Sequence, residues 1–297
     1  LSFILVMLGL VSQQFNPLIR YLLPAYPVAI VFGGYGIYHL WHSGRDKKFA
    51  LLRKVSFSQM SQLTAIALVA VSIFWGAAFV NGIYNNSHPR VSATSWINEN
   101  IDSGSTVTHQ IWDDQLPLAL ANETKAQLNY VDLDLFRSDQ SKDPESGNSK
   151  LDTLVNNLER TDYIIEASNR LYGSIPRIPA EYPGTTAYYN ALFSGELGFE
   201  LVAEFENSPS LFGINLSDTE GEETFTVYDH PKVTIWSKTD QWSKEEALKI
   251  LNPFRATFAP NLEPKDANSN ALLLKTAERT ALQGNATFYD TFTKRGY

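Results

Sequence analysis

The sequence predicts a membrane α-helical region, made of the tail of one helix plus two transmembrane spans, followed by an extracytoplasmic α/β domain with a mixed sheet. Three observations carry this reading. Two charge-free runs, Tyr21 to Gly44 and Leu63 to Tyr84, are each about as long as the roughly 20 residues a helix needs to cross the hydrocarbon. The charge is divided, with six basic residues and one acidic residue in 1–84 against eighteen and thirty-one in 85–297. From Val91 onward, short strand-like runs alternate with helical patterns, which is how a sheet with packed helices reads.

Residues 1–84 form the membrane region. The opening LSFILVMLGLV is apolar but only eleven residues long and has no basic segment before it, so it reads as the tail of an earlier membrane helix rather than a signal peptide. A longer parent chain is therefore expected, with further membrane helices as partners of these. In the first span Pro24 and Pro27 fall in or near the first turn, where a missing N–H is tolerated, and they help to fix the segment that presents Arg20. In the second, Gly76, Ala77 and Ala78 permit close helix packing. Two buried helices of a soluble core are the alternative, but such helices seldom stay uncharged all round. The loop 43–62 carries Arg45, Lys47, Lys48, Arg53 and Lys54, so the positive-inside rule makes it cytoplasmic and places 85–297 outside. Within it, Phe49 to Leu63 reads equally as an interfacial helix or a solvated loop.

Residues 85–260 form the extracytoplasmic domain. A helix over 93–100 precedes a strand over 106–111. Strands over 127–135 and 162–167 flank a helix that Ser149 and Asp152 open as a capping box, with Leu151, Leu154, Val155 and Leu158 on one face. That order predicts a crossover between parallel strands. Thr185 to Phe193 reads as helix and Phe199 to Phe205 as strand. FTVY (225–228) and VTIW (233–236) read as a hairpin around Asp229-His230-Pro231-Lys232. A helix over 244–251 follows. Residues 261–297 read as a linker and a short helix over 271–283, leading to a C-terminal region of the parent.

Composition excludes several functions. The acidic 85–297 offers no clustered basic surface for nucleic acid. The absence of cysteine removes disulfides, thiolate-bound metals and thiol catalysis. The five histidines show no metal-ligand spacing, and neither a GxSxG turn nor a glycine-rich phosphate loop is present. No cofactor is argued.

Arg20 is the leading candidate, because a guanidinium beside a helix N-terminus suits a lipid-borne phosphate; helix anchoring by snorkelling is the plainer role. Trp112, Asp113 and Asp114 follow a strand end, where α/β domains place binding groups, although neighbouring Asp residues also serve as caps. Arg170 and Tyr172 follow another strand in the same way, and Arg170 suits a phosphate, a carboxylate or a structural ion pair with Asp113 or Asp114. His230, beside Asp229, is titratable near neutral pH but has no nucleophile nearby in sequence and reads more simply as structural.

RYLLPAYPVAIVFGGYGIYHL (20–40) resembles the late-helix segment of polytopic, lipid-carrier-dependent glycosyltransferases related to the protein O-mannosyltransferases. ATSWINENIDSGSTV, IWDDQLPL, DYIIEASNRLYGSIPRIPAEYP, YYNALFSGELGFELVAEF and FTVYDHPKVTIWSK, in that order through 93–238, resemble a bacterial branch of that family. The resemblance implies an inverting transfer of a sugar from a polyprenyl-phosphate donor on the outer face of the plasma membrane. Arg20 matches the arginine that faces the lipid phosphate. The family's catalytic carboxylate would lie upstream of Leu1, so no catalytic residue is assigned and this piece alone is expected to be inactive. The rival reading is a membrane-anchored extracytoplasmic binding or assembly module without catalysis.

Overall fold

The computed structural model describes residues 2–12, 19–42, 57–110, 112–120, 126–133, 135, 147–177, 179, 182–219, 221 and 223–253. Most of the basic loop, the linker and the helix over 271–283 lie outside them.

Helix α1, Ser2–Val11, is followed by a 3-10 segment, Ile19–Ala25, and α2, Tyr26–His42. The first span was expected to be helical from Tyr21. Regular α-geometry instead begins at Tyr26, because Pro24 and Pro27 cannot donate to carbonyls four residues back. Helix α3, Phe57–Phe79, absorbs the second half of the segment read as interfacial helix or loop and widens into a π turn, Val80–Tyr84. Two helical stretches, Arg20–His42 and one that begins at Gln59, are long and apolar enough to cross a membrane. Neither is a covered core helix: Ile30 is 72% exposed and Ile73 67%.

Four residues after the π turn, α4 (Pro89–Asn100) starts the sheet domain. Strands β1 (Thr106–His109), β2 (Asn129–Asp132), β3 (Tyr163–Glu166), β4 (Phe199–Phe205) and β7 (Val233–Lys238) form one mixed sheet in the order β2-β1-β3-β7-β4. A two-stranded hairpin, β5 (Ser210–Leu211) and β6 (Ile214–Asn215), stands apart from it. β1 runs parallel to β2 and β3, and helix α5, Gly147–Arg160, links β2 to β3 across it. Leu151, Leu154, Val155 and Leu158 are all buried, as the periodicity requires. The helix begins at Gly147, so Ser149 is an interior residue rather than the expected cap.

Helices α5, α6 (Pro183–Ser194) and α8 (Lys244–Leu251) cover one face of the sheet and α4 covers the other. The strands alternate accordingly: Ile164 and Trp236 face the first layer, Ile165 and Ile235 the second. The expected hairpin of 225–228 with 233–236 does not form. β7 is a central strand, antiparallel to both β3 and β4, so its hydrogen-bonding edges are already taken. Residues 223–226 coil instead into a helical turn, α7 (Glu223–Thr226), which continues as Val227 N–H donates to the Glu223 carbonyl at 3.0 Å.

The C-terminal end of α3 is fitted to the sheet domain through Gly82 of the π turn, where a Cβ would overlap backbone atoms of Ser208, Pro209 and Ser210. Asn81 Nδ2 donates to the Ser210 carbonyl at 2.9 Å, and Asn207 Nδ2 donates to the Ser87 carbonyl at 2.9 Å. Gly82→Ala should force this contact open, costing about 1–3 kcal/mol. A lower unfolding midpoint and faster proteolysis within 207–217 are expected, while Gly76→Ala, whose Cβ meets open space, changes neither.

Candidate functional site

The carboxyl ends of β1 and β3 lie side by side, the place where α/β sheets gather polar groups. Asp113, after β1, turns inward and spends both oxygens on protein partners. Arg90 Nη2 donates to Oδ1 at 2.9 Å and Ser168 Oγ donates to Oδ2 at 2.6 Å. Arg90 also donates to Asp114 Oδ2 at 3.1 Å and, through Nε, to the Ala167 carbonyl at 3.0 Å. The two aspartates differ in exposure, with side chains 2% exposed for Asp113 and 70% for Asp114. Asp113 therefore joins α4 to two strand ends, and of this pair Asp114 is the carboxylate that meets solvent.

Arg170 takes other partners than those two aspartates. Its Nη1 donates to the Trp112 carbonyl at 2.6 Å, and its Nε lies 3.8 Å from Glu223 Oε2. Trp112 is held with φ at 72°, a left-handed backbone that costs a large side chain energy, and its indole is exposed. The Arg170 guanidinium sits over the Tyr228 ring, 5.7 Å from its centroid. The Tyr228 hydroxyl accepts from Arg20 Nη1 at 3.1 Å. Arg20, at the start of the first long apolar helix, is thereby linked to the strand-end cluster through one exposed tyrosine, and α7 packs against the same 3-10 segment.

Tyr172 stands elsewhere, in the wall of a cleft of about 510 Å³. Tyr172, Phe193 and Trp236 form its aromatic side, with Phe193 edge-on to both neighbours at 5.2 and 5.5 Å between centroids. Lys232, paired to Glu204 at 2.9 Å, and Arg177 supply charge at its rim. Glu223 also lines the cleft, so the cleft and the Arg170–Tyr228–Arg20 chain share a residue. A larger cavity of about 590 Å³ between α2 and α3 is apolar and distant from these charges.

Two buried titratable groups lie behind the cluster. Glu166, the last residue of β3, is fully buried and accepts from Gln110 Nε2. Burial pushes its carboxyl up to about 8, against the opposing pull of the Gln110 hydrogen bond. Its Oε1 has no hydrogen-bond partner among the described residues, consistent with a neutral carboxylic acid. His230 is buried beneath the edges of the Phe79 and Phe225 rings. Its Nε2 lies 3.0 Å from Asp218 Oδ2 and its Nδ1 bonds Asp229, whose other oxygen accepts from Tyr84. Burial opposes the charge, yet the two carboxylates outweigh it and raise the imidazole above its ordinary value. His230 thus belongs to the seam with α3 and not to a hairpin turn.

Arg90 and Asp218 escaped the sequence reading. Arg90 precedes the helix expected over 93–100, and its place in a first turn, where a basic side chain opposes the macrodipole unless carboxylates face it, emerges only because α4 begins at Pro89. Asp218 carried no signal, because twelve residues separate it from His230 in a segment with no regular pattern. Among the described residues no group of three or more His, Cys, Asp or Glu side chains is placed to hold a metal ion. Comparison with protein-family models, curated proteins and solved structures finds no match to this chain.

Asp113→Ala leaves the Arg90 guanidinium buried beside a lost partner and should cost about 3–5 kcal/mol in unfolding free energy, whereas Asp114→Ala should cost under about 1 kcal/mol. Glu166 generates a pH dependence. Its folded pKa lies above the ordinary 4.5, so its stabilisation is complete below 4.5 and is lost as pH rises to about 8. Unfolding midpoints across that window should fall more steeply for the native chain than for Glu166→Gln, whose amide stays neutral throughout.

Proposed function

We propose that this chain is part of an integral, multi-pass membrane glycosyltransferase that transfers a sugar from a polyprenyl-phosphate donor to an acceptor on the outer face of the membrane, with Arg20 as the contact to the lipid phosphate. The observation that carries this reading is the joining of Arg20 to Arg170 through Tyr228, where the first long apolar helix meets the sheet domain. Two guanidinium groups on one exposed tyrosine make a cationic edge suited to a phosphate, whose charge grows as the sugar departs. The uncovered apolar surfaces of α2 and α3 support a bilayer around them, and the basic loop supports an extracytoplasmic domain.

In the reaction so read, the acceptor hydroxyl oxygen bonds to the anomeric carbon while the bond from that carbon to the phosphate oxygen breaks, and the phosphate leaves with the electron pair. The hydroxyl proton passes to a base that is not assigned to a residue of this chain. The protein's part is positioning and charge stabilisation. The cleft beside Glu223 suits the sugar, since aromatic walls match the C–H face of a pyranose ring and the Lys232–Glu204 pair offers a donor and an acceptor to its hydroxyls. The same cleft favours a second reading, a membrane-anchored glycan-binding module without catalysis.

Transfer of radiolabel from polyprenyl-phosphate sugars to membrane acceptors, measured with the parent protein, separates the two. Arg20→Ala at matched expression should lower transfer about 10- to 100-fold, the worth of a charged hydrogen bond of ~1.5–3 kcal/mol. Tyr228→Phe should lower it less, because the ring under Arg170 remains. Normal transfer in Arg20→Ala would return Arg20 to a helix anchor. No transfer from any donor by the folded, inserted native protein would leave the binding module.

A further inference from the structure

We infer that the β5–β6 hairpin is an interfacial foot whose tip, Phe212, enters the head-group layer of the bilayer. The inference rests on the reading that α2 and α3 cross a membrane, but not on glycosyl transfer.

Phe212 is 89% exposed, more than any other large apolar side chain among the described residues. Its backbone makes that exposure harder to dismiss. Phe212 and Gly213 have φ of 54° and 80°, so both central residues of this two-residue hairpin are left-handed, as in a type I′ turn. In water such a turn takes Asn or Asp before Gly, because an aromatic residue there is strained and exposes its ring. A head-group layer removes the second objection, since aromatic rings concentrate at that depth. Ile214, directly across from Leu211, is also exposed, so the tip presents apolar side chains on both strands. All eleven residues from Asn207 to Ser217 are uncharged, in a domain that is otherwise strongly acidic.

Placement fixes the direction. Ser208 to Ser210 lie on Gly82 in the π turn, and β5 packs against α3 itself as well as against that turn. Following the chain from Ser208 toward Phe212 therefore leads back along the apolar helix and away from the sheet. The patch is also too small for a protein partner: two strands of two residues cannot bury the roughly 800 Å² per side of a stable interface. A bilayer needs no such area, and the uncovered surface of α3 continues into it.

The chain has no cysteine, so one introduced cysteine carries a unique environment-sensitive fluorophore. Ile214→Cys keeps Phe212 in place, Val69→Cys labels the exposed surface of α3, and Lys249→Cys labels the exposed face of α8. The labelled chain in phosphatidylcholine vesicles is titrated with lipids bearing spin labels at shallow or deep positions. Position 214 should be quenched several-fold more by shallow than by deep labels, position 69 mainly by deep ones and position 249 by neither. Adding Phe212→Asp to Ile214→Cys should abolish the shallow quenching with the domain's unfolding midpoint retained. If position 214 behaves as 249 does while 69 is quenched, the foot is wrong and the membrane reading stands. If 214 is shielded from a water-soluble quencher but not touched by lipid labels, a protein or a second copy covers the tip and the proposal fails. If 69 is untouched by any lipid label, the membrane reading fails and the foot with it.

Discussion

A single buried guanidinium holds the architecture together. Arg90 lies only a few residues beyond the π turn that ends α3, and it spends its donors on Asp113, Asp114 and the Ala167 carbonyl. Those partners come from the ends of β1 and β3, so one side chain ties α4 to two parallel strands. The first turn of a helix is an unfavourable place for a cation, and burial compounds the cost. Only a well-aligned set of carboxylate and carbonyl acceptors offsets both, which is why Asp113 faces inward and why Ser168 satisfies its other oxygen. The positions of Trp112 and Arg170 follow, since each lies next to a member of this network.

The seam between the apolar helices and the sheet domain repeats that logic with less charge. Gly82 lets two backbones touch, Asn81 and Asn207 satisfy carbonyls across the gap, and the Asp218–His230–Asp229 clamp sits under Phe79. An imidazole there costs little because two carboxylates favour its charged form as burial disfavours it. Glu166 shows the opposite solution. Burial, with no offsetting cation among the described residues, pushes its carboxyl up to about 8, so that it is tolerated in the core as a neutral group. Arg20 and Arg170 take their partners from Tyr228, Trp112 and Glu223 and none from this buried acid.

Much of the fold was legible because local pattern and tertiary role coincide. The run Lys244 to Leu251 forms the helix its periodicity predicts, β1, β3 and β4 fall within their expected segments, and Leu151, Leu154, Val155 and Leu158 share one buried face. The hairpin over 225–236 was misread because an alternating run next to a Pro-containing turn looks the same whether its partner is the neighbouring segment or two distant strands. The alternation of β7 records that it has two faces, not which strands lie beside it. The candidate site was legible only in part: Asp113, Asp114, Arg170 and Trp112 do gather at the strand ends, whereas their chief organiser, Arg90, was not among the residues the sequence singled out.

The sequence by itself determined what depends on composition and on short-range periodicity. It set two uncharged apolar stretches of helix length, the acidic balance of the sheet domain, the alternation of β7 and the exclusion of thiol chemistry. Each of these is a property of neighbouring residues, so no distant contact can alter it. The tertiary structure decided which charges are paired and which face outward. Asp113 and Asp114 are adjacent and chemically identical, yet one is buried against Arg90 and Ser168 while the other meets water. That difference arises from strands and a helix brought together from residues 90, 113 and 168, and long-range pairing of this kind leaves no mark in local sequence. The same holds for Arg20, whose link to Arg170 through Tyr228 spans 208 residues of chain before the two regions meet.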